Sequence, residues 1–216
     1  MKIEMILYDM DGTLVKYPVK PHFSSWDALS LALSDRKKKQ WIELRDEHID
    51  KPESHNKWFS QQISLLNGLK ICEAEKVLFP IPYSKGVEDS FKDLDGNYIK
   101  GIVSHGIDIV ARKICEEQRM NFFVSNMLNV KEGVFDGTGK MLYKLDDKLN
   151  AVEKISEDYC IPFEKICFVG DNFNDIPVLK KVGLPVSFNP KSEEVKKNSR
   201  FVIHDFRELN LILKDK

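Results

Sequence analysis

The feature that most constrains this chain is an interruption. Ile3–Tyr8 reads as a buried strand, yet no second strand is legible before Tyr98–Val103. From there, apolar or β-branched runs recur at Asn121–Ser125, Lys165–Val169, Leu184–Phe188 and Phe201–His204, several apolar enough to be covered on both faces. Between them apolar side chains return at helical spacing: Ile107, Val110, Ala111 and Ile114, then Val152, Ile155 and Tyr159, then Ile176 and Leu179. Strands alternating with helices require right-handed crossovers and therefore a mainly parallel sheet. Val134–Gly139 reads instead as a turn or short hairpin.

The intervening stretch is polar, with helical spacing in Trp26/Leu29/Leu33, Trp41/Leu44/His48 and Trp58/Ile63/Leu66, and it holds all three tryptophans. The expected fold is α/β: a doubly wound, mainly parallel, Rossmann-like sheet with an inserted α-helical cap subdomain. Residues 1–15 and 83–216 form the core, and residues 16–82 the cap. Hydrophobic residues at 42% supply a sizeable core.

Composition narrows the function classes. The 33 Lys and Arg against 34 Asp and Glu leave a net charge of -1, with no basic surplus for nucleic acid or an anionic membrane. No apolar run is long enough to span a bilayer, and the N-terminus is too short and too acidic for a secretory signal. Cys72, Cys115, Cys160 and Cys167 lack CxxC spacing and read as buried free thiols, which suits the cytoplasm.

Chemistry concentrates at strand ends. Ile6–Thr13 delivers Asp9 and Asp11 two positions apart, followed by Gly12, at the carboxyl end of a strand, where open α/β sheets bind ligands. On its own the segment also reads as an Asx-rich exit with solvated carboxylates. Phe168–Asp175 is a second strand ending in Gly170, Asp171, Asn174 and Asp175; Asn174 is placed to cap the next helix. If the two strands are neighbours, Asp9, Asp11, Asp171 and Asp175 converge, and such a cluster needs a cation. Oxygen-only donors favour Mg²⁺ over Zn²⁺. Gly101–Gly106 ends in Ser104 and His105, with Ser104 placed either as an N-cap or against an anion. Lys148 stands near a helix start, where the macrodipole disfavours a cation and an exposed, solvated position is the ordinary outcome.

Asp9-Met10-Asp11-Gly12-Thr13, Ser104, Lys148 and Gly170–Asp175 resemble, in this order, the four motifs of the haloacid dehalogenase superfamily. The helical stretch after the first motif looks like a first-class cap. Ser125-Asn126, Asp136–Gly139 and Ile63–Leu66 resemble the phosphoserine phosphatase branch. The resemblance implies a Mg²⁺-dependent phosphatase acting on a small phosphorylated metabolite, with Asp9 as nucleophile and Asp11 as general acid and base. To donate at neutral pH, Asp11 needs a pKa raised by the negative charges around it. Asp9, the Asp11 backbone carbonyl and Asp171 would hold the metal. Ser104, Lys148, Gly12 and His105 would hold phosphate, and Asn174 and Asp175 would support them. Trp26, Trp58 and Gln62 are the cap candidates for the leaving group.

Three positions depart from that branch. Lys16–Lys20 replaces the stretch carrying a Glu for the substrate ammonium, Gln62 stands where an Arg grips the substrate carboxylate, and His105 replaces the Gly after the second-motif Ser. A zwitterionic amino acid would lack both charge partners. The same aspartyl-phosphate also serves phosphotransferases and mutases. A receiver-type signalling domain combines similar residues, but it carries its phospho-acceptor on a central strand and has no such insertion.

Overall fold

In the computed structural model, which describes residues 2–48, 51, 54–94, 96–141 and 147–214, β1 (Met5–Tyr8) is buried on both faces. The chain then forms α1 (Ser25–Ser30), α2 (Asp35–His48), α3 (His55–Ser64) and α4 (Ile71–Leu78), and α5 (Val87–Asp93) leads back to the sheet. The remainder alternates as expected: β2 (Ile99–Ile107), α6 (Asp108–Glu117), β3 (Phe122–Lys131), β4 (Val134–Lys140), α7 (Lys148–Asp158), β5 (Ile166–Gly170), α8 (Ile176–Leu179), β6 (Leu184–Phe188), α9 (Glu193–Lys197), β7 (Phe201–Ile203) and α10 (Arg207–Lys214).

The strands form one sheet in the order β4-β3-β2-β1-β5-β6-β7, parallel except for β4. The strand order reverses at β1, which pairs with β2 on one side and β5 on the other. That is the switch point at which such sheets open a crevice beyond their carboxyl ends. The first strand is thus the central one in space. Strand position therefore does not separate this chain from a receiver domain, contrary to the sequence-based expectation.

Side chains alternate across β1 with period two. Ile6 and Tyr8 join a core that includes Phe91, Val110 and Phe206, whereas Met5 and Leu7 pack with Val152, Ile155 and Val178 on the other face. Both faces are covered by helices, and β1 carries no charged residue before Asp9.

Residues Val134–Gly139 are strand β4 itself. The turn lies one step earlier, at Glu132-Gly133, where both residues have positive φ and Lys131 pairs with Val134. The hairpin reaches the inserted helices: Gly68 N donates to the Phe135 carbonyl at 3.0 Å and Ile71 N to the Gly133 carbonyl at 2.9 Å. The two crossings between sheet and insertion lie side by side, with a bridge between Val15 and Tyr83 and Lys16 N donating to the Pro82 carbonyl at 3.0 Å. Within the insertion Trp41 is buried, and the Trp26 ring lies 6.0 Å from Trp41 and 6.1 Å from Phe59.

Among the described residues no helix is long and apolar enough to cross a membrane. The four cysteines are unpaired, but only Cys167 is buried; Cys72, on α4, and Cys160, in the turn after α7, are exposed.

Candidate active site

The parallel register brings the two acidic motifs together. Tyr8 lies opposite Val169, and Asp9 N donates to the Val169 carbonyl at 2.9 Å, so both strands end at the same level. Ligand oxygens of Asp9, Asp171 and Asp175 all lie within 4.8 Å of one another, and all three residues are buried. Asp11 does not join them through its side chain. Its carboxylate turns to the insertion, accepting from Ser25 N and from Ser25 Oγ, each at 2.7 Å.

Lys148 fills the middle of the cluster. Its Nζ donates to Asp9 Oδ1 at 2.8 Å and to Asp175 Oδ1 at 2.6 Å, with no solvent exposure. It is the first residue of α7, where the macrodipole opposes a cation by about 1 kcal/mol. Each close ion pair offers about 4 kcal/mol at an effective dielectric near 20. The carboxylates therefore win, and the solvated lysine expected from sequence is instead buried.

The loop after β5 is shaped by Asp175. Its Oδ2 accepts from Asp171 N at 2.9 Å and Asn172 N at 3.1 Å, while Asn172 Oδ1 accepts from Phe173 N. This capping box starts the short 3-10 turn Phe173–Asp175, so the cap is Asn172 and not Asn174. Gly170 is required by close approach, because a Cβ there would sit 2.4 Å from Asp175 Oδ2. Asn174 instead places Nδ2 3.3 Å from Nδ1 of His105.

Asp171 Oδ1 accepts from Thr13 Oγ1 at 3.2 Å. Its Oδ2 is buried and receives no hydrogen bond of proper geometry; Lys191 Nζ lies 2.8 Å away as an ion pair. Gly12, at φ 90°, makes room for this pair: a Cβ would sit 2.3 Å from Asp171 Oδ2 and 3.0 Å from Lys191 Nζ. Three buried carboxylates whose oxygens lie this close, with oxygen donors only, fit a hard divalent cation such as Mg²⁺.

Burial, first, and then the charges of Asp9 and Asp175 lift Asp171 to about 7, with Lys191 opposing. Asp11 is also raised to about 7. Desolvation is the main cause, the Ser25 hydrogen bonds work against it, and the charge of Asp9 is a smaller contribution. The expectation that neighbouring negative charge would do most of this work is corrected: the position deep between sheet and insertion does it. Asp175 is raised as well, by burial before all else.

Ser104 is buried on β2 and accepts from Gly106 N at 3.2 Å. It is not a helix cap, because α6 begins at Asp108 with Ile107 in the cap position. Between Val103 and Ile107 the pairing with β3 slips by two residues, and this bulge carries Ser104 and His105 at the strand end beside Asp9. The His105 carbonyl accepts from Trp26 Nε1 at 3.0 Å and from Asn126 Nδ2 at 2.7 Å. The His105 ring stands edge-to-face with His55 at 6.4 Å. Of the cap candidates, Trp26 is thus tied to the core, Trp58 packs on His55 at 5.2 Å, and Gln62 is buried in α3.

Sequence reasoning missed Ser25, Thr13 and Lys191. Ser25 follows Ser24, whose capping box with Asp27 starts α1 and could be read from the Ser-x-x-Asp spacing. Lys191 lies just beyond the carboxyl end of β6, which the crevice rule marks as a ligand position.

A family model of haloacid dehalogenase-like hydrolases matches residues 27–210. The chain belongs to this family. The matched span begins after Asp9–Thr13, but a relative covers that segment as well: phosphoserine phosphatase of Methanocaldococcus jannaschii, 32% identical over 99% of this chain and 97% of its own length. Phosphoserine phosphatase of Idiomarina loihiensis is 27% identical, over 87% of this chain and 82% of its own. Among solved structures, a phospho-aspartyl intermediate analogue of phosphoserine phosphatase superposes with a TM-score of 0.76 at 28% identity, covering 99% of this chain and 100% of that one. This haloacid dehalogenase-like hydrolase is a phosphoric monoester hydrolase of the phosphoserine phosphatase branch. That removes the receiver-type reading.

Proposed function

We propose that the chain hydrolyses a small-molecule phosphate monoester through an aspartyl-phosphate on Asp9, with residues 16–82 acting as a cap over the crevice. The observation that carries this is Lys148, fully buried and bridging Asp9 and Asp175 beside Asp171. A cluster so costly to bury is retained where it serves chemistry.

Asp9 attacks phosphorus as the ester P–O bond breaks, and protonated Asp11 gives its proton to the departing alkoxide. Asp11, now a carboxylate, takes a proton from the water that attacks the phosphoryl group, and the P–O bond to Asp9 breaks to release inorganic phosphate. A pKa near 7 suits both halves of this cycle. Lys148 orients Asp9, and Ser104, with the backbone at Gly12 and His105, faces the phosphoryl oxygens. Asp9, the Asp11 carbonyl and Asp171 would hold a Mg²⁺ ion, which would supply positive charge for those oxygens.

The leaving group is bounded by Trp26, Trp58, Gln62 and His105. Where the branch carries a Glu, Tyr17 donates to the Leu78 carbonyl at 3.0 Å and Lys16 lies over the Phe23 ring, so that stretch is committed to structure. Phosphoserine is therefore a poor substrate, and a neutral or cationic alcohol without a carboxylate fits better. With thiols exposed at Cys72 and Cys160 and no disulfide, the working compartment is the reducing cytoplasm.

A panel of phosphoserine, phosphocholine-like esters and sugar phosphates, read by phosphate release, tests the substrate. The best compound should exceed phosphoserine in kcat/KM by about 100-fold or more. Phosphoserine at the top of the panel would refute that part of the reading. Single turnover in ¹⁸O-water should place label in the released phosphate; transfer to an added alcohol instead would make the chain a phosphotransferase.

A further inference from the structure

We infer that Lys191 is a built-in stand-in for the metal: its ammonium neutralises the cation site when the site is metal-free, and the arriving divalent ion must displace it. The inference rests on the metal-dependent reading above and adds a residue that sets how tightly the metal is held.

Lys148 is committed to Asp9 Oδ1 and Asp175 Oδ1, and the other oxygen of Asp175 is used by two backbone N–H groups. Asp171 Oδ2 is buried and accepts no hydrogen bond, and Lys191 Nζ stands 2.8 Å from it. The loop after β6 is anchored for this purpose, since Lys191 N donates to the Asp171 carbonyl at 2.8 Å. Gly12 leaves the space into which the ammonium reaches. The side chain is 46% exposed, so its stem can swing outward without repacking the core. When a divalent ion takes that carboxylate oxygen at contact distance, its repulsion of the ammonium exceeds what the oxygen offers the ammonium, so the ammonium is the group that leaves. Binding of metal therefore includes the work of expelling Lys191.

The test is equilibrium Mn²⁺ binding to the metal-free full chain, followed by the electron paramagnetic resonance signal of free Mn²⁺, together with thermal melts in the absence and presence of Mn²⁺. Lys191→Met should bind Mn²⁺ about tenfold more tightly than wild type. It should melt at a lower temperature than wild type without metal, and at the same temperature with it. Lys191→Arg, which keeps the charge, should stay within about twofold of wild-type affinity. Unchanged or weaker Mn²⁺ binding by Lys191→Met, with wild type binding normally, would overturn this inference alone and leave the phosphatase reading standing. Failure of wild type to bind Mn²⁺ at all would overturn both.

Discussion

The carboxyl end of the sheet and the helical insertion solve opposite problems. Around Asp9 the charged groups are buried against one another: Lys148 and Asp175 have no exposed surface, and their hydrogen bonds run between α7, the end of β1 and the loop after β5. The insertion is held together by a small aromatic cluster, while its longest helix, α2, is polar and buries only Trp41 and His48. It touches the core through a few definite bonds, chiefly Ser25 to Asp11, Trp26 to the His105 carbonyl and the edge of β4. The difference teaches where each part of the function is placed. On the proposed reading, the reacting groups sit on the densely bonded part, and Trp26, Trp58 and Gln62, which would bound the leaving group, sit on the part joined to it by few bonds.

If chemistry belongs to the rigid end, Asp9→Asn should lower kcat by about 10⁴-fold or more while the melting temperature stays near wild type. Activity within tenfold of wild type would break the contrast at its root. Lys148→Met should cost stability as well as activity, because two buried carboxylates, Asp9 and Asp175, lose their counter-charge. About 3–5 kcal/mol, or a fall of roughly 10 °C, is expected in a melt of the metal-free protein. A change under 2 °C would mean the cluster is not under electrostatic strain.

The junction between the regions is sharper to probe. Ser25→Ala removes one of two bonds to Asp11 and should reduce kcat about tenfold with an unchanged melting temperature. An equal loss in a variant at the far side of the insertion would show that cap stability, not the Asp11 contact, is being read.

The smallest effect is the pH dependence of the metal-free protein. Burial holds Asp171 near 7, above its unfolded value, so the folded state keeps a proton that the unfolded state has lost. The stability this confers is present at the acid end and lost as pH rises from about 4 to about 7. Asp171→Asn, which cannot ionise, should therefore gain on wild type across that window in chemical denaturation without metal. A gap that stays constant with pH would contradict the assignment.

Strands were legible because β1 and β5 are continuous apolar runs ending before Asp or in Gly, a pattern imposed by burial on both faces. The helices of the insertion were legible from the spacing of their aromatics. Less legible were features set by contacts across the fold. Ser104 precedes a helix in sequence yet belongs to a bulged strand, and Asn174 and Asn172 are equally good caps until Asp175 completes the box with one of them. Lys191 carried no local signal beyond its place after a strand. Its partner is Asp171, twenty residues earlier in the chain and one strand away in the sheet.

The chain's own order of residues thus determined the alternation, the insertion and which carboxylates stand at strand ends, because these follow from periodicity and local turn chemistry. Only the folded arrangement decided that Lys148 is buried, that Asp11 faces Ser25 and not the other acids, and that Lys191 stands against Asp171 Oδ2. Those outcomes depend on balances of charge and desolvation between segments far apart in sequence, and no local pattern encodes a balance of that kind.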